Sequence, residues 1–260
     1  MKLIVKYVFL AVIALVAAGC VTTKTGPYED KKDLDKAEKT YIQIGYGYFQ
    51  KGDLLKSKEN LMNALDINSQ SAGAHMGLAR VYERELEFEL SDDHFRKAIK
   101  YNGGTEAHFQ YAVYLYNRGN LEASIDEFDM VLKDTLYARR AQAFDFKGLV
   151  ANRLGMKEEA ILAYQKAIVL NPSMSSSYLN LAAIYKEQED YARAYRTYNG
   201  FVRLVRAKLA RQNASTLWLG IQLAHEQDDS DAYASYALQL KNQYSKTKEY
   251  AQFIDWQKSL

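Results

Sequence analysis

Residues 141–174 read AQAFDFKGLVANRLGMKEEAILAYQKAIVLNPSM. Apolar and small side chains recur at helical spacing on both sides of Leu154-Gly155, a turn signal, and Asn171-Pro172 closes the stretch. The pattern predicts two antiparallel helices joined by a tight turn. Its eighth residue is Gly148 and its twentieth Ala160, so the helices can cross where side chains are small. The twenty-fourth, Tyr164, is bulky and fills the space toward a neighbour. The same layout recurs on both sides, with starts at 38, 72, 105, 141, 175 and 213, separated by 34, 33, 36, 34 and 38 residues. The eighth column then reads Gly45, Ala79, Ala112, Gly148, Ala182 and Gly220. The twentieth reads Ser57, Ser91, Ser124, Ala160, Ala194 and Ala232, and the twenty-fourth Leu61, Phe95, Phe128, Tyr164, Tyr198 and Tyr236. Two all-small columns with an all-bulky one at fixed offset specify a repeated helical hairpin.

One such hairpin cannot bury its apolar face alone, so neighbours must stack. The period is that of the tetratricopeptide repeat. The expected fold is therefore all-α, a right-handed superhelix of about six hairpins over residues 38–260, with a capping helix at about 248–257 (KEYAQFIDWQ). In such an array the first helices line a concave groove, which the fifth, ninth and twelfth positions face. The early repeats place Ile42, Tyr46, Phe49, Met76, Phe109, Val113 and Tyr116 there, with Arg80 and Glu83 as charged exceptions. An apolar, aromatic groove suits an amphipathic helix or an extended apolar segment of a protein partner. It lacks the Lys and Asn set with which some tetratricopeptide domains clamp a C-terminal carboxylate.

The chain opens on a different pattern. Lys2 and Lys6 precede an apolar run from Tyr7 to Ala18 that ends in small residues and Cys20. Twelve apolar residues make a helix of about 18 Å, too short for a bilayer core of roughly 30 Å. Residues 1–19 therefore read as a secretory signal peptide. The run Val16-Ala17-Ala18-Gly19-Cys20 resembles the lipobox of bacterial lipoproteins, with Ala17 where that family prefers Leu. That likeness implies acylation of Cys20, palmitate included, and Val21 after it implies delivery to the outer membrane with the body facing the periplasm. Several acyl chains would hold the protein durably, at about 0.8 kcal/mol per buried methylene. Residues 20–37 are polar and of mixed charge, and are expected to form the lipidated cysteine and a flexible tether.

Composition excludes most other classes. The 260 residues are 48% apolar and 25% charged with a formal charge of +2, which excludes a disordered chain and gives no electrostatic case for nucleic acid. One cysteine permits no internal disulfide. There is no GxSxG, HExxH, P-loop or dinucleotide glycine fingerprint, so no enzyme activity, cofactor, metal or small-molecule substrate is expected. His75 and His108, at the fourth repeat position, read as rings packed between helices. His225-Glu226 with Asp228, Asp229 and Asp231 reads as a solvated turn, and Arg203, Arg206, Lys208 and Arg211 as a solvated helix face.

Several strings go beyond what the repeat demands. They are KGDLLKSKENLMNAL (51–65), HFRKAI (94–99), YLYNRG (114–119), RRAQAFDFKGL (139–149), LWLGIQLA (217–224) and LQLKNQYSKTKEY (238–250). With the lipobox and six repeats, they make the chain resemble the type IV pilus biogenesis and stability lipoproteins, the pilotins of the pilus secretin. The 238–250 string lacks a proline that such proteins often carry. The resemblance implies an outer-membrane lipoprotein that binds secretin subunits, promotes their localisation and multimerisation, and performs no catalysis. The alternative client is a machine of outer-membrane barrel assembly or cell-wall synthesis.

Overall fold

The computed structural model describes residues 31–259. The signal peptide, Cys20 and the tether as far as residue 30 lie outside the described residues. Among the described residues there are thirteen α-helices and no strand. They are α1 (Lys31–Gln50), α2 (Leu54–Ile67), α3 (Ala72–Arg84), α4 (Phe88–Lys100), α5 (Gly104–Asn117), α6 (Leu121–Lys133), α7 (Arg140–Arg153), α8 (Lys157–Leu170), α9 (Ser175–Glu187), α10 (Tyr191–Arg206), α11 (Ala214–His225), α12 (Ser230–Tyr244) and α13 (Lys248–Ser259). None is long and apolar enough to cross a membrane. They fall into two compact units, one ending at Ser69 and the other beginning at Gln70.

The first unit holds the hairpin of α1 and α2. Its turn uses Gly52 at φ +81°, a left-handed backbone that glycine adopts without a Cβ penalty. Asp53 then caps α2, its carboxylate accepting the Lys56 N–H at 3.1 Å. At the crossing, the Ser57 hydroxyl donates to the Gly45 carbonyl at 2.8 Å, and a Cβ on Gly45 would stand 2.7 Å from Leu61 Cγ. One expectation needs correction here. Residues 31–37, assigned from sequence to the tether, are the first two turns of α1. No Gly or Pro lies between Pro27 and Gly45 to stop a helix, and Leu34, Ala37 and Tyr41 continue the apolar period into it, with Ala37 buried.

The second unit pairs α3 with α4, α5 with α6, α7 with α8, α9 with α10 and α11 with α12, and α13 packs on the last pair. The small columns mark the crossings, but these are closed in two ways. In the earlier hairpins a serine hydroxyl does it: Ser91 donates to the Ala79 carbonyl at 2.9 Å and Ser124 to the Ala112 carbonyl at 2.8 Å. In the α7–α8 hairpin a tyrosine ring lies on a bare backbone, where a Cβ on Gly148 would meet Tyr164 Cε1 at 2.8 Å; between repeats, one on Gly220 would meet the Tyr198 hydroxyl oxygen at 2.4 Å. Phe95, Phe128, Tyr164, Tyr198 and Tyr236 are all buried, and Tyr198 reaches into the next repeat to donate to the Thr216 carbonyl at 2.9 Å.

The turns within hairpins again use left-handed residues: Leu86, Gly119, Gly155, Glu189 and Asp228. Leu86 (φ +63°) is the only apolar side chain in this set and is 71% exposed. At the end of the chain, α13 buries Phe253 and sets Trp256 edge-on to Trp218 and to His225, with centroids 5.4 and 4.9 Å apart.

Candidate protein-binding surfaces

On α1, Ile42, Tyr46 and Phe49 are spaced four and three residues apart, share one helix face, and are all half-buried. In the second unit, Met76 on α3 is likewise half-buried, and Val113 and Tyr116 on α5 pack partly against the core. The Arg153 guanidinium lies 4.4 Å from the Tyr116 ring.

Phe109 departs from the expectation: it is 3% exposed and belongs to the core. The cause is the longer third repeat. Its extra residues fold Tyr137 and Arg139 back over Phe109, with the guanidinium 4.1 Å from the ring. Glu106 pins that lid, accepting from Tyr137 Oη and Gln110 Nε2 at 2.7 Å each and pairing with Arg139. Burial pushes the Tyr137 phenol up to about 12, helped by its bond to Glu106. Burial works the other way on the Glu106 carboxyl, but the bonds from Gln110, Tyr137 and Arg139 outweigh it and hold that group below its usual range.

Further along, the same positions mostly turn polar and internally satisfied, or disappear into the core. Asp145 accepts from Ser176 Oγ at 2.8 Å and Ser177 Oγ at 2.5 Å. Lys186 donates to Gln222 at 2.7 Å, and burial lowers its ammonium below the usual lysine range. Leu217, Ile221 and Ala224 are buried. In the second unit, the half-buried apolar residues at these positions are thus Met76, Val113 and Tyr116, with Leu149 and Leu179 continuing them in the fourth and fifth repeats.

The histidines pack, as expected, and also bond. His75 stacks on Tyr101 with centroids 5.5 Å apart, and its Nδ1 lies 3.0 Å from His94 Nδ1. Burial, with His75 beside it, holds His94 down to about 4. His108 Nδ1 meets Glu127 at 2.6 Å. No cluster of three or more His, Cys, Asp or Glu side chains among the described residues is arranged to hold a metal ion.

Sequence reasoning about the groove missed the opposite face of the second unit. Clefts open there between successive second helices: about 320 Å³ between α4 and α6, 470 Å³ between α8 and α10, and 450 Å³ between α10 and α12. Beside the middle one, the repeat columns place apolar residues where other repeats carry charge.

Tetratricopeptide-repeat family patterns match residues 38–71 and 141–174, and a further one matches 163–196. The chain is 35% identical over 248 residues to type IV pilus assembly protein PilF of Pseudomonas aeruginosa, across 95% of this chain and 96% of the relative. The solved structure of Pseudomonas aeruginosa PilF matches with a TM-score of 0.76 and 34% identity, covering 85% of this chain and 98% of that one. The structure of PilW, a widely conserved type IV pilus biogenesis factor, shares the fold with a TM-score of 0.69 at 19% identity, covering 84% and 98%. The fold is all-α and of the tetratricopeptide-repeat class.

Proposed function

This chain belongs to the type IV pilus assembly family of tetratricopeptide-repeat proteins that includes PilF, and on that premise we propose that it is a lipid-anchored adaptor for the pilus secretin. In this reading acylated Cys20 holds it in the outer membrane, facing the periplasm. The repeats bind secretin subunits there and promote their localisation and multimerisation. The observation that carries the reading is identity to a pilus assembly protein over nearly the whole of both chains. Helical repeats suit the role because each hairpin adds exposed surface without chemistry of its own. Two features of the sequence supply the rest: a lipobox-like run ending at Cys20 and a half-buried Ile42, Tyr46, Phe49 row on α1.

Two experiments test it. In cells carrying Cys20→Ser, secretin subunits are expected in the wrong membrane or unassembled; multimers at wild-type level and place would end the proposal. With purified proteins, Tyr46→Glu or Phe49→Glu is expected to weaken secretin binding at least tenfold while circular dichroism stays native. Unchanged binding would move the interface away from that face.

A further inference from the structure

The repeats provide their own comparison of outward-facing residues. In every second helix the twenty-second and twenty-ninth repeat positions are exposed. Five repeats hold mostly charged side chains there: Glu59 and Asp66, Asp93 and Lys100, Asp126 and Lys133, Arg196 and Arg203, Ala234 and Lys241. The fourth holds Leu162, 62% exposed, and Val169, 75% exposed. Neither is needed by its own hairpin, because α8 turns Ala160, Ala163, Tyr164 and Ala167 to the core. Second helices of other repeats also expose apolar side chains, such as Leu55 and Leu238, but Val169 is continuous with an apolar-floored cleft, and a patch of that kind, unlike a scattered residue, marks a contact surface.

The surroundings say what fits. Beside Val169 lies the 470 Å³ cleft, floored by Ile168, Tyr178 and Leu181 and walled on α10 by Arg193 and Arg196. Gly200 keeps it deep, since a Cβ there would stand 2.3 Å from Tyr178 Cε1 and the ring could not lie against α10. Arg193 is held by Asp190 at 2.6 Å and covers the Tyr185 ring. Among the described residues neither Arg196 nor Arg203 makes a direct ion pair, although the Arg196 charge is felt by Asp190. The repeat-four and repeat-five surfaces therefore present two rows, one apolar and one cationic. Each spans seven residues, or about 10 Å along its helix.

We propose that this outward face is a docking surface for an amphipathic helix of the partner, whose apolar row seats on Leu162, Val169 and the cleft and whose acidic flank meets Arg196 and Arg203. A spacing of two turns in both rows matches residues seven apart on such a helix. Arginines with no direct ion pair of their own select carboxylates through charge-assisted hydrogen bonds. A recessed floor favours a protein helix over a bilayer, which would meet only the rim. The proposal rests on the adaptor reading, in which the helix belongs to a secretin subunit.

The test places a photo-crosslinking amino acid at 162 or 169, and at 46 or 76 for comparison, in the full-length protein in piliated cells. Crosslinks at 162 and 169 are expected to reach a secretin segment with apolar residues on one face and at least two carboxylates beside it. With purified secretin subunit, Val169→Glu and Arg196→Glu should each weaken binding at least tenfold with unchanged circular dichroism, and Lys133→Glu, the counterpart of Val169 in repeat three, should not. Secretin crosslinks at 46 or 76 but none at 162 or 169 would overturn this surface and leave the adaptor intact. So would a crosslinked segment without carboxylates, lipid or a second copy of this chain at 169, or wild-type binding by both variants. No secretin crosslink from any position would instead overturn the adaptor reading, and this surface with it.

Discussion

The crossing of α7 and α8 makes a sharp demand on one backbone atom. In Gly148→Ala the new Cβ would lie 2.8, 2.9 and 3.0 Å from three atoms of the Tyr164 ring. To regain a carbon–carbon separation of ~3.5 Å the ring must retreat by ~0.7 Å. It has nowhere to go, since Tyr164 is fully buried among core residues. Overpacking of this kind costs about 1–3 kcal/mol. Alanine recovers about 1 kcal/mol of helix propensity relative to glycine. The net expectation is a loss of about 1 kcal/mol, with an upper limit near ~2 kcal/mol. Gly47 is the control. It is also inside a helix, but a Cβ there meets nothing within 4 Å, so Gly47→Ala should gain up to about 1 kcal/mol. Thermal unfolding followed by circular dichroism reads both signs, at about 2–4 °C per kcal/mol for a chain of this size. A rise in Tm for Gly148→Ala equal to that of Gly47→Ala would refute the close crossing.

Three further outcomes follow from particular residues. Leu86→Gly should raise stability by about 1 kcal/mol, because it relieves a bulky residue from left-handed backbone at φ +63° and removes an exposed apolar side chain; a lower Tm would contradict that. Phe109→Ala should cost about 3–5 kcal/mol in a urea titration, as a core position does, where a groove contact would change binding and leave stability near wild type. His94 is held at about 4 against its ordinary 6.5, so the unfolded chain binds more protons between these values. Stability should then be full above pH 6.5 and fall as the pH drops toward 4, by at most ~1.4 kcal/mol per unit. His94→Asn should flatten that slope, and an imidazole titrating near 6.5 by NMR would remove its basis.

What could be read from the sequence was whatever the repeat forces. Close approach of two backbones admits only small residues at Gly45, Ala79, Gly148 and their counterparts, so the helices and their pairing were legible. Features set by a single repeat were not. Nothing in a 34-residue period announces that Tyr137 and Arg139 will fold over Phe109, because those residues belong to the insert that breaks the period. The early start of α1 was hidden by polar composition in residues 31–37, which outweighed the spacing of Leu34, Ala37 and Tyr41. Leu162 and Val169 were missed for the converse reason. The repeat leaves outward positions unconstrained, and their meaning emerges only against the charged residues that sister repeats place there.

The two styles of crossing bear on how the array assembles. A string of near-copies risks wedding the wrong partners while it folds, each first helix sampling every second helix within reach. Were α3 to close on α8, the Ala79 methyl would land where the Tyr164 ring tolerates only hydrogen, at the spacing that Gly148 leaves open. Serine offers no such veto, so at this one hairpin the Tyr164 ring should turn away suitors from the front of the chain.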